Sequence, residues 1–143
     1  MIAAVITTLV SILALGMIIY VSSYKRYDLN SWSGALMKWA DDNNVSRKRM
    51  PRYDEKTLLK IIELDLSEFK LPFLPEEICY LAKLKKLHLR DNNLTSLPEN
   101  ITSLKLSLLD VRGNNGLKLN SKQKTWAREI KEFYSDDLIN LKK

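Results

Sequence analysis

Leu84 to Leu104 reads LKKLHLRDNNLTSLPENITSL, and the reading of this stretch decides the fold. Its aliphatic residues stand at Leu84, Leu87, Leu89, Leu94, Leu97, Ile101 and Leu104, with Asn92 and Pro98 between them. Twenty-three residues upstream the same positions hold Ile61, Leu64, Leu66, Phe69, Leu71, Leu74, Pro75, Ile78 and Leu81. A third copy follows 22 residues downstream as Leu106, Leu109, Val111 and Asn114, with Gly116 where the next leucine is expected, and the repetition then stops. Self-similarity at such a period marks units that bury their apolar faces by stacking on one another.

Each copy also explains itself residue by residue. In Leu64-Asp65-Leu66, Leu87-His88-Leu89 and Leu109-Asp110-Val111 alternate side chains of an extended segment point to opposite faces, so the aliphatic pair goes inward and the middle residue outward. Three such segments stack as about three short parallel strands. Asn92 and Asn114 fall where each strand turns away, and an inward amide there satisfies backbone groups that no regular ladder reaches. Phe69 lacks an amide and is expected to plug the end of the stack. Leu74-Pro75-Glu76-Glu77 and Leu97-Pro98-Glu99 start helical turns, since proline suits the first helical position and acidic groups favour a helix N-terminus. Each returning limb therefore holds a short turn of helix.

Written together, these positions spell L-x-x-L-x-L-x-x-N-x-L followed by L-P-x-x-I-x-x-L. The chain thus resembles the leucine-rich-repeat family in its typical 23-residue form, over about half its length. The flanks are similar to those of small bacterial leucine-rich-repeat proteins, in which a Trp-Ala-Asp-x-Asn-Asn stretch and a Pro-Arg turn precede the first repeat. Here these are Trp39-Ala40-Asp41-Asp42-Asn43-Asn44 and Pro51-Arg52. The resemblance implies an α/β fold, a short leucine-rich-repeat solenoid whose strands line a concave face, and a role in protein recognition.

A stack of three repeats leaves open apolar ends that need covering. Before the repeats, Asn30 or Ser31 caps a helix with Trp32, Leu36 and Trp39 at i, i+4 and i+7, ending at Asp41-Asp42-Asn43-Asn44. Asp54 opens a short helical turn through Leu58 and Leu59. After the repeats, Asn120 or Ser121 caps a helix with Trp126, Ile130 and Phe133 at the same spacing. The tryptophans read as capping core residues.

The N-terminal stretch has a different chemistry. All 40 charged residues lie beyond Tyr24, and Ile2 to Val21 is an almost unbroken apolar run, long enough to span the ~30 Å hydrocarbon core of a bilayer as a helix. Lys25 and Arg26 flank it on the C-terminal side, which predicts the N-terminus outside and the rest in the cytosol. The competing reading is a cleaved signal peptide, giving a secreted or periplasmic repeat protein that binds an envelope or host partner. Against it, no basic residue precedes the apolar run and Val21-Ser22-Ser23 is a poor exit. The organisation expected is a transmembrane anchor over 1–24, a juxtamembrane region and N-terminal helical cap over 25–60, leucine-rich repeats over 61–119, and a C-terminal capping helix and tail over 120–143.

The net charge is +6. Of this, +4 lies between Lys25 and Lys60, where Arg47, Lys48, Arg49 and Arg52 are placed to rest on anionic lipid headgroups. The same cluster lacks the aromatic interleaving of a nucleic-acid groove, and no nucleic-acid partner is expected. The single histidine and single cysteine, with no glycine-rich phosphate loop and no metal-spaced Cys/His set, argue against an enzyme, a cofactor or a small-molecule substrate.

The outward strand positions form three rows across the expected sheet: Glu63, Lys86, Leu108; then Asp65, His88, Asp110; then Ser67, Arg90, Arg112. Glu63, Asp65, Lys86, His88, Arg90, Asp110 and Arg112 are the candidate contacts for a protein partner. The middle row places His88 between two carboxylates, which would favour its charged form. The plainer alternative is a solvated charge ladder that sets strand register. The function expected is that of a membrane-tethered, single-pass scaffold or recognition module.

Overall fold

The structure, a computed structural model, describes residues 27–50 and 54–136. The apolar run expected to form the anchor lies outside the described residues. Among those residues no helix is long and apolar enough to cross a membrane.

Helix α1 (Trp32–Asp42) starts where Ser31 caps it, its hydroxyl accepting from the Gly34 amide at 3.0 Å. Glycine is required at 34 because a Cβ there would lie 1.9 Å from the Asp28 carbonyl, so the preceding loop folds tightly onto the first turn. Leu36, Trp39 and Ala40 form the buried stripe, and the chain leaves the helix through Asn44 in the left-handed region (φ 54°). The short helix α2 (Glu55–Leu58) is capped by Asp54, which accepts from the Thr57 amide at 2.9 Å. That hydrogen bond holds the Asp54 carboxyl below its ordinary range.

A mixed α/β arrangement follows, built on one parallel sheet. Strands β1 (Glu63–Asp65), β2 (Lys86–His88), β3 (Leu108–Asp110) and β4 (Glu132–Tyr134) lie side by side in chain order. Their register aligns Leu64, Leu87, Leu109 and Phe133. The first three of these leucines are almost wholly buried, as are Leu66 and Leu89. Alternation along each strand is thus what sorts core from surface, and full burial of each leucine contributes roughly 1.5 to 3 kcal/mol. The returning limbs hold two 3-10 turns, Glu76–Tyr80 and Glu99–Ser103, each entered through a proline. Glu76 of the first ties it to the second by accepting from the Glu99 amide at 2.7 Å.

The two inward asparagines do what their position demands. Asn92 Oδ1 accepts from the Leu71 amide at 2.9 Å, and its Nδ2 donates to the carbonyls of Leu66 (2.8 Å) and Leu89 (2.9 Å). Asn114 repeats the pattern one turn later, accepting from the Leu94 amide at 3.0 Å and donating to Leu89 and Val111, both at 2.9 Å. Phe69, at the same position in the first turn, packs half-buried against the core. The residue before each of these three, Glu68, Asp91 and Gly113, is left-handed with φ of 68°, 55° and 71°. Only the last is glycine, and there a Cβ would meet Asp91.

Two expectations about the C-terminal part need correction. The sheet has four strands rather than about three, and the helix that begins after Asn120 is shorter than its spacing suggested and is followed by a strand. Helix α3 (Ser121–Glu129), closed by a capping box between Asn120 and Gln123, ends before Ile130, and Phe133 lies on β4 instead of on the helix. Trp126, Ile130 and Phe133 have helical spacing, but Ile130 and Phe133 also occupy the positions of Leu106 and Leu109 in the turn before. The second pattern prevails because β4 completes a ladder with β3, with Glu132 donating to the Ser107 carbonyl at 3.0 Å and Tyr134 accepting from the Val111 amide at 2.8 Å. Trp126 covers this end of the core and donates its Nε1 proton to the Leu104 carbonyl at 3.0 Å.

Candidate functional site: the outer face of the sheet

Side chains that the core does not need gather on the outer face of the four strands. Parallel register brings Glu63 beside Lys86, His88 between Asp65 and Asp110, and Asp110 beside Tyr134. The first two rows read from alternation are therefore present, continued by Glu132 and Tyr134 of β4, while Ser67, Arg90 and Arg112 lie just past the ends of the paired strands.

Their pairing differs from a simple row-by-row ladder. His88 does not sit between two engaged carboxylates: its Nε2 lies 3.2 Å from Glu63 Oε1, diagonally across to the first row. Lys86 reaches the other oxygen of Glu63 at 3.3 Å. The lysine contact chiefly, with His88 adding to it, holds the Glu63 carboxyl below its usual range. Asp65 is taken by an ion pair with Arg49, a residue assigned from sequence to the lipid-facing cluster. Asp110 is held by Arg112, whose Nε and Nη2 donate to the two carboxylate oxygens at 2.9 and 2.5 Å.

Asp110 is the clearest departure from the expected contact surface. It is only 6% exposed, so it supports the face and offers little to a partner. Burial pushes its carboxyl up, but the hydrogen bonds and charge of Arg112 outweigh this and leave it below the ordinary value. The same pair raises Arg112 further. The guanidinium also lies 5.0 Å from the centre of the Tyr134 ring, so β4 adds an aromatic wall that the three-strand reading missed. The signal for it was present in the 24-residue spacing from Leu109 to Phe133, masked by the helical spacing of the same residues.

The remaining outward residues are accessible. Glu63, Lys86 and Arg90 have roughly half-exposed side chains, and Arg90 pairs with its neighbour Asp91 at 2.9 Å. The basic cluster lies next to this face: Arg47 pairs with Asp41 at 3.4 Å, Arg49 with Asp65, and Lys48 is exposed. Arg52 lies outside the described residues.

Cys79 lies on the first 3-10 turn, away from His88 on β2. Burial first, then Glu76 and Glu77, push its thiol up to about 12, so it stays protonated at neutral pH. Among the described residues no group of three or more His, Cys, Asp or Glu side chains is arranged to hold a metal ion. What the outer face offers is a shallow, charged, internally paired surface with one aromatic edge.

No protein-family model matches the chain, and no solved structure matches it.

Proposed function

We propose that this chain is a leucine-rich-repeat interaction module, carried on a membrane by its N-terminal apolar run, that recognises a protein partner on the outer face of its sheet. The observation that carries the reading is the division of labour along the strands. Leu64, Leu87 and Leu109 build the core, while Glu63, Lys86, His88, Arg90 and Tyr134 stand on one continuous surface that the core does not require. Such a surface suits specificity, because paired charges of fixed geometry reject partners that do not complement them. The apolar run from Ile2 to Val21 and the basic flank of Lys25 and Arg26 support a cytosolic placement of this surface.

Proximity labelling from the full-length chain identifies the partner, and a binding titration then tests the face. His88→Ala with Arg90→Ala should leave thermal stability within about 1 kcal/mol, since exposed ion pairs contribute little. The same double change should weaken partner binding tenfold or more if the two side chains lie at a contact centre. Binding that survives it but is lost in Arg47→Gln with Lys48→Gln would place recognition in the juxtamembrane region and reduce the repeats to a spacer. Arg49 is left intact in that comparison because it also holds Asp65.

A further inference from the structure

At the β4 end of the sheet the described residues enclose a cavity of about 460 Å³, a size that suits a small molecule. One part of its lining is apolar: Val111, Leu117, Leu119 and Phe133. Phe133 matches Leu109 and Leu87 in register, and both of those leucines are fully buried, whereas Phe133 is only half-buried. The other part is polar. Lys118 and Lys124 stand on fixed backbone, the Lys118 amide donating to the Thr95 carbonyl at 3.0 Å and the Lys124 amide to that of Asn120 at 2.9 Å. Neither lysine enters an ion pair among the described residues. Asn115 and Ser135 add neutral groups that donate or accept. The two remaining polar residues are already committed. The Asn114 amide serves three backbone groups, and the Asp136 carboxylate accepts from the Gly113 amide at 2.6 Å. Two lysines against one carboxylate leave the lining a single positive charge in excess.

We propose that this cavity binds a small amphipathic anion, an apolar body bearing one carboxylate. Both halves of such a molecule find their complement in one lining. The body lies against Leu117, Leu119 and Phe133, where taking apolar surface out of water drives association. The carboxylate meets the ammonium groups of Lys118 and Lys124, whose hydrogen bonds to a charged acceptor are stronger than those to a neutral one. A single charge in excess matches one carboxylate better than a dianionic phosphate ester. The lysine stems can lie along the apolar wall while their heads stay at its mouth, since long basic side chains combine the two characters. Glu63, Lys86, His88 and Arg90 take no part in the lining, so this site is separate from the outer face of the sheet.

Methyl NMR on the full chain in detergent, titrated with hydrocinnamate, tests this. Saturable shifts should appear at Val111, Leu117 and Leu119, while Leu64 on β1 stays unmoved. Hydrocinnamyl alcohol, which has the body without the charge, and propanoate, which has the charge with little body, should each bind at least tenfold more weakly. Lys118→Gln with Lys124→Gln should remove the preference for the acid over the alcohol, and the spectrum without ligand reports whether that variant keeps its fold. If it does not, the comparison of acid with alcohol in the parent decides alone. His88→Ala with Arg90→Ala should leave the titration unchanged, so failure of the partner-binding reading and failure of this one are told apart. Absence of a saturable shift overturns the proposal, whether the chain's own C-terminus, a second copy or water fills the space. Equal binding of acid and alcohol overturns it too, as do shifts that spread to Leu64.

Discussion

At Asp110 burial alone favours the neutral acid, and the Arg112 guanidinium reverses that preference. The folded carboxyl consequently ionises below its ordinary value of 3.8. A depressed carboxylate contributes stability that is complete above the unfolded pKa and lost as pH falls through the folded one. Thermal melts from pH 7 to pH 2 should therefore show the parent losing part of its stability below about pH 4, in the range where carboxylates take up protons. Asp110→Asn should be less stable than the parent at neutral pH, and the gap should close toward pH 2. A gap that stays constant across the range would mean that packing, not charge, is what the substitution removes. Sequence alternation placed Asp110 on the outer face correctly. It could not foresee the burial, because the covering residues come from the turn after β3 and from Tyr134 on β4.

Among the elements, the turns that follow the strands are fixed by side-chain amides more than by regular ladder bonds. Asn92 serves three buried backbone groups, and an alanine would strip the Leu71 amide and the Leu66 carbonyl of that partner, while the Leu89 carbonyl would keep Asn114. Since each orphaned buried group costs on the order of 1 to 3 kcal/mol, Asn92→Ala should lose about 2 kcal/mol or more in a denaturant titration. Asn114→Ala should lose a similar amount, because it makes the same three contacts one turn later. An unchanged midpoint for either would show that water replaces the amide there. These turns, the caps at Ser31, Asp54 and Asn120, and the 3-10 limbs after Pro75 and Pro98 were all legible, since each depends on residues close in sequence. Strand β4 was not, because Phe133 fits two periods and only its pairing with Leu109 decides between them. The diagonal contact of His88 with Glu63 was hidden for the same reason: a row order says which residues are neighbours, not which side chains reach one another.

For the whole molecule the open question is orientation. A reporter active only in the cytosol, joined after Lys143 through a flexible linker, should be active, because Lys25 and Arg26 flank the apolar run on its C-terminal side. Replacing both with Gln while adding lysines ahead of Ile2 should invert or scramble the result. Activity confined to the far side of the membrane in the unmodified chain would instead favour release or export of the repeats. The outer face would then be met by a partner in an oxidising compartment, where a lone protonated thiol such as Cys79 has no internal partner.

The amide turns also set how the chain can change length. From the inward leucine of a strand to the position that turns the chain is five residues each time: Leu64 to Phe69, Leu87 to Asn92, Leu109 to Asn114. The steps between successive strands vary from 22 to 24 residues, so all of the variation falls on the far side of the loop, where 3-10 turns give way to helix α3. One residue inserted between a strand and its amide would throw every following side chain onto the wrong face. One inserted in the returning limb only lengthens a coil. Such a chain has a rigid margin and an elastic one, and drift in its length over generations can accumulate only along the elastic side, leaving the face with its charges in step.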